Sequence, residues 1–227
     1  MNEIDFTDAN GTASRYKINV PADAGEKIYG LHIHFHGDGG GGYRDFPNVE
    51  TRYDLIGVTV QAPDPNLRWG RNQGVVHGFY ANDLVQNELI KKYNINLDRI
   101  FFSGVSGGAY FLSGSFIPTY GSQYASGAYL MCGGETPRVP FANQQFLANF
   151  RIHWQVTAGE RQDILASVNN SINSYTQALA NVQNAQPNIQ TSEIVGAGGH
   201  CEFDGVAYTS GIQMMVDEGF KTILQLQ

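Results

Sequence analysis

The chain has 227 residues, 42% of them hydrophobic, and a formal net charge of −7. That length suffices for one domain with a sizeable core, and the hydrophobic fraction excludes a disordered chain. An acidic balance without a basic run excludes nucleic acid or an anionic membrane as the main partner, and no apolar stretch approaches the ~20 residues of a membrane span.

In chain order, strand-like runs fall at Arg15–Val20, Ile28–Phe35, Ile56–Gln61, Arg99–Val105, Gly127–Cys132, Arg151–Thr157 and Ser192–Val195. Between them, apolar residues recur at helical spacing in Asp83–Tyr93, Ile164–Val182 and Gly211–Leu226. Strands alternating with helices predict an α/β domain with a mainly parallel central sheet flanked by helices. No repeat or composition break divides the chain, so residues 1–227 read as one domain. The least patterned stretch, Ala62–Phe79, is expected to be a long loop of the kind that lines binding sites.

The opening segment, MNEIDFTDANGTASRYKINV, has no basic n-region and no apolar h-region of a signal peptide. The composition, rich in Asn, Gln, Gly, Ser and Tyr and poor in Lys, leads to the expectation of a secreted protein whose signal has been removed; a cytoplasmic protein is the alternative. Sequons at Asn10 and Asn169 matter only in a secreting eukaryote. Two cysteines, Cys132 and Cys201, allow one bridge or two thiols.

The strongest chemical signal is Gly104-Val105-Ser106-Gly107-Gly108, a G-x-S-x-G that follows an apolar strand and precedes a helical pattern. A serine at a sharp strand-to-helix turn lifts its hydroxyl above the sheet edge, with glycines where side chains would collide. The helix that follows aims its N-terminal amides at developing negative charge. Such a serine is followed along the chain by an acid and then a histidine. Only His153 and His200 lie downstream. His153 sits inside a strand, where packing is its expected role. His200 ends the glycine loop Gly196-Ala197-Gly198-Gly199 and is the expected base. For the acid, Asp163 is favoured over Glu160, although an aspartate at a helix start also reads as a simple N-cap.

The chain resembles the α/β-hydrolase superfamily, and within it the feruloyl-esterase and polyhydroxybutyrate-depolymerase-like esterases. The likeness covers most of the chain. It rests on Arg15–Pro21, His36-Gly37, Ala62-Pro63 with Trp69, and Lys92–Ile100 leading into the Ser106 elbow. One departure is that the family's acid usually sits in G-x-x-D, whereas this chain has Gly159-Glu160-Arg161-Gln162-Asp163, one residue longer, which keeps Glu160 open.

The run His32-Ile33-His34-Phe35-His36-Gly37-Asp38-Gly39-Gly40-Gly41-Gly42 then has three readings. As metal ligands, the histidines would spread along ~13 Å of strand, so at most two of them could share one ion. A His-x-His-x-Asp-His site would need His at Gly39. As a dinucleotide loop, the run puts the anionic Asp38 where a pyrophosphate must approach. The resemblance implies the third reading: the backbone N–H groups of Asp38 and Gly107 form an oxyanion hole. His36 is then structural. A Cys132–Cys201 disulfide would pin the histidine loop; two free thiols are the other expectation.

Together these point to a serine carboxylic-ester hydrolase with Ser106, Asp163 and His200, needing no metal or cofactor. Its substrate would be a small-molecule or polymer-linked ester, short-chain or carbohydrate-linked, of the feruloyl or acetyl type. No large lid is expected, and Trp69 and Tyr43 are expected at the cleft; Tyr80 and Tyr110 also lie where they could reach it. A serine peptidase or thioesterase on the same triad is one alternative, and a non-catalytic binding protein on a hydrolase scaffold is another.

Overall fold

A computed structural model describes residues 2–44, 50, 52–70, 73–186 and 189–202. The expected helix Gly211–Leu226 lies outside them. The strands are β1 Asn2–Thr7, β2 Ala13–Asn19, β3 Tyr29–Phe35, β4 Leu55–Val60, β5 Ile95–Val105, β6 Gly127–Met131, β7 Arg151–Val156 and β8 Gln190–Ile194. They form one sheet in the order β1-β2-β4-β3-β5-β6-β7-β8. β1 and β2 pair antiparallel, as do β2 and β4; every later pairing is parallel.

The pleat of β3 explains its odd sequence. Leu31, Ile33 and Phe35 point to one face, where Phe35 meets Trp69, Phe102, Phe111 and Phe116 with ring centroids 5.1–6.5 Å apart. Removing one such buried ring typically costs about 3–5 kcal/mol. His32 and His34 point to the opposite face, fully buried. There His32 contacts Glu50 and Ser103, and His34 contacts the same Ser103 hydroxyl, each at 2.7 Å. The expected packing role of His153 agrees with its place: it stacks near Tyr129 and bonds Thr191 at 2.8 Å.

Two elements differ from expectation. β1, a short and half-polar edge strand, carries no clear strand pattern in the sequence. The stretch expected as a loop up to Phe79 ends in helix α1, Gly74–Asp83, which continues through a wider π-type turn at Leu84–Leu89 into Ile90–Lys92. Its buried face is Gly74, His77, Gly78, Tyr80, Ala81 and Asp83, while Val75 and Val76 face out. That inverts the usual apolar stripe. Tyr80, a candidate for the cleft, is fully buried. Helix α2, Gly107–Phe111, leaves β5 at Ser106, and α3, Gln162–Leu179, follows β7. No described helix is long and apolar enough to cross a membrane.

Candidate active site

Ser106 sits between β5 and α2 with φ 47° and ψ −113°, a left-handed backbone that a serine adopts only under constraint. The constraint is visible. A Cβ on Gly104 would lie 2.6 Å from the Gly108 carbonyl carbon, and one on Gly108 would lie 2.2 Å from the Phe35 oxygen. The strand and helix can therefore cross this closely only with glycine at both places. The Ser106 N–H donates to the Met131 carbonyl at 2.9 Å, tying the elbow to the end of β6.

The Ser106 Oγ lies 3.0 Å from His200 Nε2. On the far side of the ring, Nδ1 is 2.8 Å from Glu160 Oε1. A carboxylate only accepts, so Nδ1 carries the proton and Nε2 presents its lone pair to the serine. Glu160 is fully buried at its side chain and also accepts from the Arg161 N–H at 2.9 Å. The loops that carry His200 and Glu160 are joined: Ala158 N–H donates to Gly196 O, Gly159 N–H to Gly198 O, and the Thr157 hydroxyl to Gly199 O. Ser106 and His200, far apart in sequence, are thus brought into direct contact.

No family profile and no curated protein matches this sequence. Solved structures do match it. A thermostable esterase superposes with a TM-score of 0.63 at 18% identity over 96% of this chain, which spans 60% of that protein. A ferulic acid esterase gives 0.60 at 14% identity over 95% of both chains. A putative dipeptidyl aminopeptidase IV from Bacteroides ovatus ATCC 8483 gives 0.65 at 14% identity over 96% of this chain and 35% of that one. The chain has the α/β-hydrolase fold. At these identities the likeness carries the fold, and chemistry has to come from the residues.

On this fold the structure departs from the expected partner of His200. Asp163 does not meet His200. It lies in the first turn of α3, exposed, and pairs with Arg161 at 2.6 and 3.1 Å. That guanidinium holds its carboxyl below the usual range. Glu160 occupies the place next to the imidazole because the chain turns tightly after β7, with the Glu160 N–H on the Thr157 carbonyl, before the helix begins.

Tyr43 also departs from expectation. Its hydroxyl donates to Glu3 at 3.1 Å and its ring lies under the Lys17 ammonium, so it packs against β1 and β2 instead of lining the cleft. Trp69 does line it, together with Tyr110, Ile164, Ser167, Arg161 and Asp163, in a cavity of about 480 Å³ that contains Ser106 and His200. The lining thus combines aromatic and apolar side chains with charged ones.

The Asp38 and Gly107 peptides are side by side: a Cβ built on Gly107 would fall 2.9 Å from the Asp38 nitrogen and 2.1 Å from its Oδ1. Asp38 Oδ1 accepts the Trp69 N–H at 3.0 Å, which fixes the loop after β3. His36 behind it accepts the Ala62 N–H at Nε2 and donates from Nδ1 to the Gly37 carbonyl, a neutral tautomer with both nitrogens used. Burial lowers its pKa, which suits that state. Cys132 and Cys201 form a disulfide with a Cα–Cα distance of 5.4 Å. These two sulfurs and His200 are the one cluster of metal-ligating types among the described residues, and the sulfurs are bonded to each other.

Proposed function

We propose that this protein is a serine carboxylic-ester hydrolase that works through an acyl-enzyme on short-chain, polymer-borne or carbohydrate-linked esters. The observation that carries the reading is the hydrogen-bonded line from Ser106 through His200 to Glu160, at 3.0 and 2.8 Å, above a strained elbow. In the proposed reaction Ser106 attacks the ester carbonyl while Nε2 of His200 takes its proton. Glu160 stabilises the imidazolium. The N–H groups of Gly107 and Asp38 hold the oxyanion, each worth roughly 3 kcal/mol of barrier. His200 returns the proton to the leaving alcohol, and a water then frees the acyl group by the same route.

The cleft supports a polar ester. Arg161, Asp163 and Asp38 supply charge beside the serine, while Trp69 offers an apolar face. A disulfide supports an oxidising, extracellular setting for the protein. The peptidase among the structural neighbours makes an amide substrate the second reading. A fluorophosphonate probe tests the class: labelling of the wild type that vanishes in Ser106→Ala supports a serine hydrolase, and an unlabelled wild type favours a binding protein. Rates on p-nitrophenyl acyl esters, feruloyl esters, acetylated xylan and peptides then separate esterase from peptidase. Turnover of peptides alone would overturn the ester reading.

A further inference from the structure

The histidine loop is built from residues that resist order. Gly196, Gly198 and Gly199 precede His200, and Gly196 has φ +62°. A segment so rich in glycine loses more conformational freedom on folding than most. The backbone ties to residues 157–159 all lie on the amino side of His200. On its carboxyl side the covalent tie is the Cys132–Cys201 bridge.

The anchor at the other end is rigid. Cys132 is fully buried directly after β6, donates its N–H to Gln155 at 2.8 Å, and follows the Met131 carbonyl that receives the Ser106 N–H. The bridge therefore fastens the loop of His200 to the strand end that also holds Ser106. A second distance adds chemistry. The Cys201 sulfur lies 3.5 Å from His200 Nε2, the same atom that faces the serine.

We propose that the Cys132–Cys201 bridge is a positioning element for His200, and that its reduction turns Cys201 into an inhibitor of that base. This rests on Ser106 and His200 being the catalytic pair. As a half-cystine, Cys201 has no proton to offer and leaves Nε2 free. A dithiol reductant gives two electrons and two protons to the bridge and becomes a cyclic disulfide, leaving thiols at Cys132 and Cys201. A thiol beside an imidazole donates its S–H to the ring nitrogen or passes the proton to it as a thiolate–imidazolium pair, and either way engages that nitrogen. The base is then occupied, and the released loop no longer fixes it opposite the serine.

The test uses the full-length protein near neutral pH with a p-nitrophenyl ester. Reduction by dithiothreitol, with tryptophan fluorescence followed to confirm that the fold persists, is expected to lower kcat roughly 100-fold at little change in KM, because a small misplacement of a catalytic group costs that much. Reoxidation restores it. Cys132→Ala leaves the Cys201 thiol free and is expected to be slower than Cys132→Ala/Cys201→Ala. Capping the thiol with methyl methanethiosulfonate raises the single variant toward the double.

Full kcat in the reduced, folded wild type overturns the proposal. Equal rates for single and double variants overturn its inhibitory half. If reduction unfolds the protein, the bridge is a general fold clamp and the positioning role is refuted. Oxidised wild type that neither turns over nor labels with fluorophosphonate overturns the hydrolase reading itself, which is a different result from labelling that ignores reduction.

Discussion

Replacing Glu160 measures what a buried carboxylate does for His200. In Glu160→Gln the side-chain oxygen has two donors to satisfy, the His200 Nδ1–H and the Arg161 N–H, both now on Oε1 at 2.8 and 2.9 Å. Those donors orient the amide oxygen toward the ring, so the imidazole keeps its tautomer and loses only the partner's charge. A hydrogen bond to a charged group is worth about 1.5–3 kcal/mol, so at about 1.36 kcal/mol per decade kcat falls roughly 10- to 150-fold. Glu160→Ala also removes the orienting oxygen, and the loss grows to about 10³–10⁴-fold. Asp163→Asn gives up an exposed pair with Arg161 and leaves turnover within a few-fold. Steady-state rates on a p-nitrophenyl ester decide the matter, with circular dichroism to verify folding. Collapse in Asp163→Asn with Glu160→Ala unimpaired refutes the assignment.

Three further outcomes follow from the same geometry. Gly107→Ala drives a methyl to within 2.1 Å of Asp38 Oδ1 and displaces one of the two proposed oxyanion donors; kcat is expected to drop about 10²-fold with KM little changed, measured by initial rates. Asp38→Asn keeps the backbone N–H and an oxygen for the Trp69 amide, so its kcat should stay far above that of Ser106→Ala in the same assay. Burial pushes the pKa values of His34 and His36 down, so the folded protein keeps both rings neutral while the unfolded chain protonates them below about 6.5. Stability from these rings is therefore complete above that pH. It falls on acidification by about 1.4 kcal/mol per pH unit for each ring, until the folded value is reached. Urea midpoints at a series of pH values check it, and a midpoint that rises on acidification contradicts it.

Much of the molecule was legible in the chain. The runs that became β2 to β8 announced themselves through apolar and β-branched residues, and the Ser106 elbow through its glycines and its place between strand and helix. The glycine loop pointed to His200 because it follows the last strand. The acid was harder. Both Glu160 and Asp163 stand just past β7, and the choice turns on where the helix starts, a boundary that Gly-Glu-Arg-Gln-Asp does not mark. Only the tight Thr157–Glu160 turn, a tertiary match to the 196–199 loop, puts residue 160 under the ring. Helix α1 was hidden for another reason. Its buried side is two glycines, an alanine, a histidine, a tyrosine and an aspartate, and a Cβ on Gly74 would come 2.3 Å from the Ser115 hydroxyl. Close packing through small residues leaves no hydrophobic period to read.

The rungs between residues 157–159 and 196–199 mean that Glu160 and His200 are mounted on one ledge, whereas Ser106 belongs to a second ledge made by β5 and α2. Changes in the gap between the ledges alter how Ser106 meets His200 without disturbing how His200 meets Glu160. Anyone grafting new loops around this cleft must transplant the two rung-bearing segments as a matched set, while the serine corner can be left in place.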